Sequence, residues 1–166
     1  MGTKTELIEA LELNRDELIR ALSDLGETEI VAPRVVGEWS VKDVVGHIAY
    51  WEQVIHDHVR EAFAEGRPRP ASISETDDAI NARESAKRSQ WKWTRVRAEF
   101  ENARRALVER VERLSESELG FQVPSPWRGE DRFYSVSQMI EEDAIGHCRE
   151  HTQQILAWKQ NRAEDA

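Results

Sequence analysis

Three histidines hold the chemistry for which this sequence is best equipped. His47 lies in the run Trp39-Ser40-Val41-Lys42-Asp43-Val44-Val45-Gly46-His47-Ile48-Ala49-Tyr50-Trp51-Glu52, and His147 and His151 stand close together in Gly146-His147-Cys148-Arg149-Glu150-His151. On a helix, an i, i+4 spacing places two side chains on one face, about 40° apart, and that spacing is how helical zinc sites grip an ion. A third imidazole meeting the pair across a helical core would make a divalent-metal site. Three imidazoles also leave a fourth position open for water or substrate, as catalytic zinc sites do. An ion held there could lower the pKa of a bound water to about 7, or bind and activate a thiolate.

Spacing alone leaves the third ligand open. His58 falls on nearly the same face as His47 but about 16 Å further along a helix, so the two cannot serve one ion. If the helices carrying the early and late histidines ran parallel, His58 would match His151 in depth; if antiparallel, His47 would be the better partner. Asp143, one turn before His147, is the candidate catalytic base or orienter of a ligand histidine, although an exposed acid beside Glu141 and Glu142 would read the same way. Glu150 points to one side and does not reproduce an HExxH arrangement. Cys148 reads as a packed small residue rather than a nucleophile. Trp51 and Trp127 are candidates to line a substrate pocket above the metal, with Arg128 as an anion contact and the loop around Trp127-Arg128-Gly129 as its cover.

These residues need helices to position them, and the sequence supplies four. Leu7, Leu11, Leu18, Leu22 and Leu25 fall at helical spacing with Asn14 in the same stripe, and Gly26 is expected to end that helix. Ser40, with Asp43 in a weaker form of the capping box, starts a second. Its face is Val44, His47, Ile48, Trp51, Ile55, Val59 and Ala62, and Gly66-Arg67-Pro68-Arg69-Pro70 stops it. Residues 76–114 contain neither Pro nor Gly; one helix of that length would run to about 58 Å, so a break is expected before Trp93. Residues 120–133 read as an ordered loop. Ser135 with Gln138 caps a last helix to about Asn161, with Ile140, Ala144, His147, His151, Ile155 and Trp158 on one face. No segment shows sustained period-2 alternation, and the fold class is all-α, a four-helix bundle.

The chain of 166 residues suffices for one well-cored domain, taken here as residues 1–166. A formal net charge of -9 argues against a nucleic-acid partner. The basic residues Lys87-Arg88 and Arg95–Arg105 are interleaved with Glu99 and Glu101 and read as a solvated helix face. A single cysteine excludes an internal disulfide and fits a reducing compartment. No apolar stretch approaches the roughly 20 residues of a membrane span, and residues 1–6 lead into no apolar signal region. The expectation is a cytoplasmic protein with no membrane partner.

The segment from Gly37 to Glu52 resembles the second-helix motif of the DinB/YfiT-like four-helix-bundle superfamily. Gly146-His147-Cys148-Arg149-Glu150-His151-Thr152-Gln153-Gln154-Ile155 resembles its last-helix motif. Both are also similar to the ClbS/DfsB branch, and the resemblance covers nearly the whole chain. It implies an up-down-down-up bundle in which the second and fourth helices are antiparallel, and this favours His47 over His58. By position it makes His47, His147 and His151 the ligands of a divalent metal ion, zinc or nickel. It implies a small-molecule substrate, with hydrolysis or transfer of a low-molecular-weight thiol (bacillithiol or mycothiol type) as the reaction, and a homodimer as a plausible assembly. The ClbS/DfsB likeness adds a different expectation, binding or sequestration of a reactive small molecule without catalysis.

Overall fold

The computed structural model describes residues 3–64, 75–125 and 132–164. Helix α1 (Lys4–Leu22) opens with a capping box, in which Thr3 accepts from the Glu6 backbone and the Glu6 side chain accepts from the Thr3 N–H. It buries Leu7, Leu11, Asn14, Leu18 and Leu22, the expected stripe. Its end differs from expectation. The helix stops at Leu22, and Gly26 instead caps the start of a short helix α2 (Glu27–Ile30), its N–H donating to Glu29 Oε2 at 2.9 Å.

Before the next helix, Gly37 takes the left-handed region (φ 57), open to glycine without steric cost. The turn brings Trp39 back on Val36, whose carbonyl accepts from the Trp39 N–H at 2.9 Å. Helix α3 (Val41–Ala64) then starts as its sequence predicts. The Ser40 N–H donates to Asp43 Oδ2 at 3.0 Å, and the Asp43 N–H donates to Ser40 Oγ at 3.2 Å.

The expected break before Trp93 lies between α4 (Asp77–Arg88) and α5 (Trp93–Arg113). Carbonyls left over at such a break need donors. The largely buried Lys42 supplies them, its Nζ reaching Ser89 O at 2.8 Å and Trp91 O at 3.2 Å.

After the short α6 (Glu116–Leu119), the stretch read as a loop contains an antiparallel pair of strands, β1 (Gln122–Pro124) and β2 (Phe133–Ser135). Three residues per strand are too few for an alternating pattern to register in a sequence. Ser135 and Gln138 form the predicted capping box at α7 (Val136–Met139), which continues through a π-helical stretch, Ile140–Gly146, into α8 (His147–Glu164).

The four long helices, the last of them composite, close a ring: α3 packs on α5, α5 on α1, α1 on α8 and α8 on α3. The fold is all-α in its core, and that core has two apolar layers. Leu7, Leu11, Ile55, Val59, Leu107, Val111, Met139 and Ile140 build one; Leu18, Leu22, Val41, Val45, Ile48, Val96, Phe100 and Ile155 build the other. Helices α3 and α7–α8 cross these layers in opposite senses.

A polar group sits between the layers. Arg104 and Glu52 are both buried and form an ion pair, and the guanidinium also donates to Leu11 O and Asn14 Oδ1. The reading of residues 95–105 as a solvated basic face is therefore corrected at Arg104, and that of Lys87-Arg88 at Arg88, which is buried between Glu84 and Glu99. Each buried guanidinium has a carboxylate partner from a neighbouring turn or helix, the condition under which a charge is tolerated inside a fold. No helix among the described residues is long and apolar enough to cross a membrane.

Candidate metal centre

His47 enters from the second turn of α3, and His147 and His151 from the first turns of α8. Their ring nitrogens converge, all lying within 4.8 Å of one another. His47 Nε2 is 2.8 Å from His147 Nε2, which in turn is 3.0 Å from His151 Nε2. Each Nε2 of a neutral imidazole offers one N–H or one lone pair in the ring plane. His147 Nε2 faces two others, and a single group cannot complement both. A cation at the shared focus is complemented by three lone pairs at once, so the donor set fits a divalent ion.

The electrostatics keep the rings in their ligating form. Burial, followed by repulsion from His147 and His151, lowers the pKa of His47 to about 3. Burial and then His151 lower that of His147 to about 4, and burial lowers that of His151 as well. All three are neutral at neutral pH. His151 is also oriented: its Nδ1 donates to Gln154 Oε1 at 2.7 Å, which leaves the Nε2 lone pair for the centre.

The walls come from four elements. Trp39 lies against His47 with ring centres 4.9 Å apart, and Trp51 meets it edge-on at 6.3 Å. Behind His47, Gly46 faces Arg88 closely enough that a Cβ would lie 2.8 Å from Arg88 Cδ. In front, a cleft of about 290 Å³ is lined by His47, Trp51, Asp77, Asn81, Asp143 and His147. The Trp51 indole N–H donates to Asn81 Oδ1 at 3.0 Å. Tyr134 Oη donates to Asp143 Oδ2 at 2.7 Å, so the carboxylate is anchored from β2 while it faces the cleft.

The structure thus brings together His47, His147, His151, Trp51 and Asp143. Trp127 and Arg128 lie outside the described residues. His58 has a different role. It is buried against β1, with Nε2 donating to Pro124 O at 2.9 Å, and takes no part in the cluster. Cys148 is buried in the core with its thiol pushed up to about 11 by that burial, which suits packing and not attack.

The sequence reading missed Asp77 and Asn81. Both sit on α4 at i, i+4, a visible spacing, but nothing in their types announced that α4 folds over the histidines. It also missed the π-helical stretch. The wider π turn shifts the buried stripe, so that Cys148, Thr152 and Ile155 face the core with His151, while His147 turns half-exposed toward the cleft.

A family model described as the DinB superfamily matches residues 10–155. Among solved structures, the sibling lethal factor precursor DfsB is 15% identical with a TM-score of 0.80, covering 98% of each chain. The colibactin self-resistance protein ClbS, in complex with a dsDNA, is 17% identical with a TM-score of 0.77, covering 96% of this chain and 97% of its own. A variant of the mycothiol-dependent maleylpyruvate isomerase is 16% identical with a TM-score of 0.73, covering 93% of this chain and 63% of its own. At these identities the likeness concerns the fold. Compared by sequence with curated proteins, the chain has no significant match. The expectation of no nucleic-acid partner rested on net charge; with ClbS holding DNA on this fold, it has no further support.

Proposed function

The chain belongs to the DinB superfamily, and from that premise we propose that it is a divalent-metal protein acting on a small molecule at the three-histidine site. The observation that carries this reading is the convergence of three neutral imidazoles whose facing nitrogens cannot satisfy one another. His47, His147 and His151 hold the ion, zinc or nickel, and the cleft side of the cluster is where a further ligand enters. Bound there, the metal supplies Lewis acidity, acidifying a water or a thiol. The protein's own groups do the rest. Trp51 gives the ligand an apolar wall, and Asp143, held by Tyr134, accepts a proton or orients the group that carries it.

Two reactions suit such a site, hydrolysis and transfer of a low-molecular-weight thiol. The fold it shares with a mycothiol-dependent isomerase adds weight to the thiol reading. Metal analysis of purified protein tests the foundation: about one tightly held divalent ion per wild-type chain is expected, and much less in His147→Ala. Equal, low metal in both proteins would overturn it. If a ligand binds equally well with and without metal and is not turned over, the function is sequestration, the reading favoured by the likeness to the self-resistance protein ClbS.

A further inference from the structure

Asn81 of α4 and His47 both border two spaces, the open cleft in front of the imidazoles and a narrow one behind His47 that Trp39, Gly46 and Arg88 also line. Trp51 sets the orientation of the Asn81 carboxamide. An indole N–H can only donate, so the Asn81 atom 3.0 Å from Trp51 Nε1 must be the oxygen. That oxygen has two lone pairs, and the indole takes one. His47 stands beside both partners, its ring meeting Trp51 edge-on with centres 6.3 Å apart. Its Nε2 faces His147 across the centre at 2.8 Å, which leaves Nδ1 for a partner outside the cluster. Burial dominates at His47 and disfavours the imidazolium, while the Asn81 side chain acts in the opposite sense, as an acceptor of a ring N–H does and a donor would not.

We propose that Asn81 is the positioning residue of His47, its Oδ1 accepting from the His47 Nδ1–H as well as from the Trp51 indole, so that the His47 Nε2 lone pair is turned to the ion. Gln154 serves His151 from its own helix, whereas Asn81 reaches His47 from a different element. The aromatic wall of the cleft and one ligand of the ion then share a single oxygen, and the seating of α4 on α3 becomes a condition for tight metal binding. The effect on affinity rests on the metal reading above. The tautomer of His47 does not, because it belongs to the metal-free protein.

Two measurements test it. Long-range proton–nitrogen NMR of the metal-free protein at neutral pH, with His47→Ala to assign the signals, reads which ring nitrogen carries the proton. Wild-type His47 is expected to hold it on Nδ1, Asn81→Asp to keep it there, and Asn81→Ala to move it largely to Nε2. Competition with a chromophoric chelator then reads zinc affinity. Asn81→Ala is expected to bind about tenfold to a hundredfold more weakly, the usual effect of losing a group that orients a ligand histidine. Asn81→Asp, which still accepts, should bind at least as tightly as wild type, and Ser85→Ala, one turn further along α4, should match wild type. A His47 proton on Nε2 in wild type, or a tautomer unchanged in Asn81→Ala, overturns the proposal. So does an equal loss of zinc affinity in Asn81→Ala and Asn81→Asp, the pattern of a residue needed only for packing. A tautomer that responds to Asn81 in a protein that takes up no stoichiometric zinc would uphold the contact and overturn the metal reading instead.

Discussion

Nδ1 of His151 lies 2.7 Å from Oε1 of Gln154, one turn further along the same helix. A carboxamide oxygen only accepts, so the imidazole must carry its proton on Nδ1 and present a lone pair at Nε2. The choice of tautomer is thereby made before any ion arrives. Gln154→Ala is expected to weaken zinc binding about tenfold to a hundredfold, measured by competition with a chromophoric chelator. Gln154→Glu still accepts and should stay near wild type. Equal affinity in all three proteins would show that the bond is incidental.

The same imidazoles set a pH dependence of stability in the metal-free protein. His47 and His147 have folded values of about 3 and about 4 against an ordinary 6.5. Between those limits the unfolded chain binds protons that the folded one refuses, so stability falls as pH falls from 6.5 toward 4. Above 6.5 these groups contribute no slope. Each histidine adds up to about 1.4 kcal/mol per pH unit across the window. Denaturant midpoints at pH 7, 6 and 5 should drop steeply for metal-free wild type and less steeply for His147→Ala. Parallel profiles would count against the burial of these rings in the neutral form.

Arg104 and Glu52 offer a test of the polar group between the two apolar layers. Burial raises the Glu52 carboxyl while Arg104 opposes that rise, so removing the guanidinium leaves a buried acid without its counter-charge. Arg104→Met is expected to cost about 3–5 kcal/mol of stability. Replacing both, Glu52→Leu with Arg104→Met, should cost less than the sum of the single changes, because neither partner is then stranded. Urea denaturation of the four proteins gives the interaction energy directly, and simple additivity would mean the pair is not coupled.

This pair also shows where sequence reasoning loses its grip. Glu52 and Arg104 look like any acid and any base on amphipathic helices; their burial depends on where two distant helices cross, which no local period encodes. Asn14 was legible as a core residue because it interrupts a leucine stripe. The capped starts at Ser40 and Ser135 were legible because capping is a contact within three residues. His147 and His151 could be paired from spacing, whereas choosing His47 over His58 required knowing how the helices run. His58 proves to be occupied by a carbonyl of a strand too short to be foreseen. Asp77 and Asn81 stayed hidden for the same reason, since only the packing of α4 onto α3 brings them to the cleft.

Gly46 gives the prediction that links packing to the metal. A Cβ at this position would lie 2.8 Å from Arg88 Cδ and 3.4 Å from Val96 Cγ1. The Arg88 methylene cannot simply swing away, because its guanidinium is held by Glu84 at 2.8 Å and by both oxygens of Glu99 at 2.7 Å. Gly46→Ala must therefore push α3 outward at the residue preceding His47, at a cost of about 1–3 kcal/mol by analogy with overpacked cores. A lower melting temperature and weaker zinc binding are both expected, since the displaced imidazole no longer meets its partners. In an Arg88→Ala background the clash is gone, and the same glycine-to-alanine change should become neutral or stabilising, as alanine is the better helix former. If alanine at this position lowers stability equally in both backgrounds, Arg88 is not what requires the glycine.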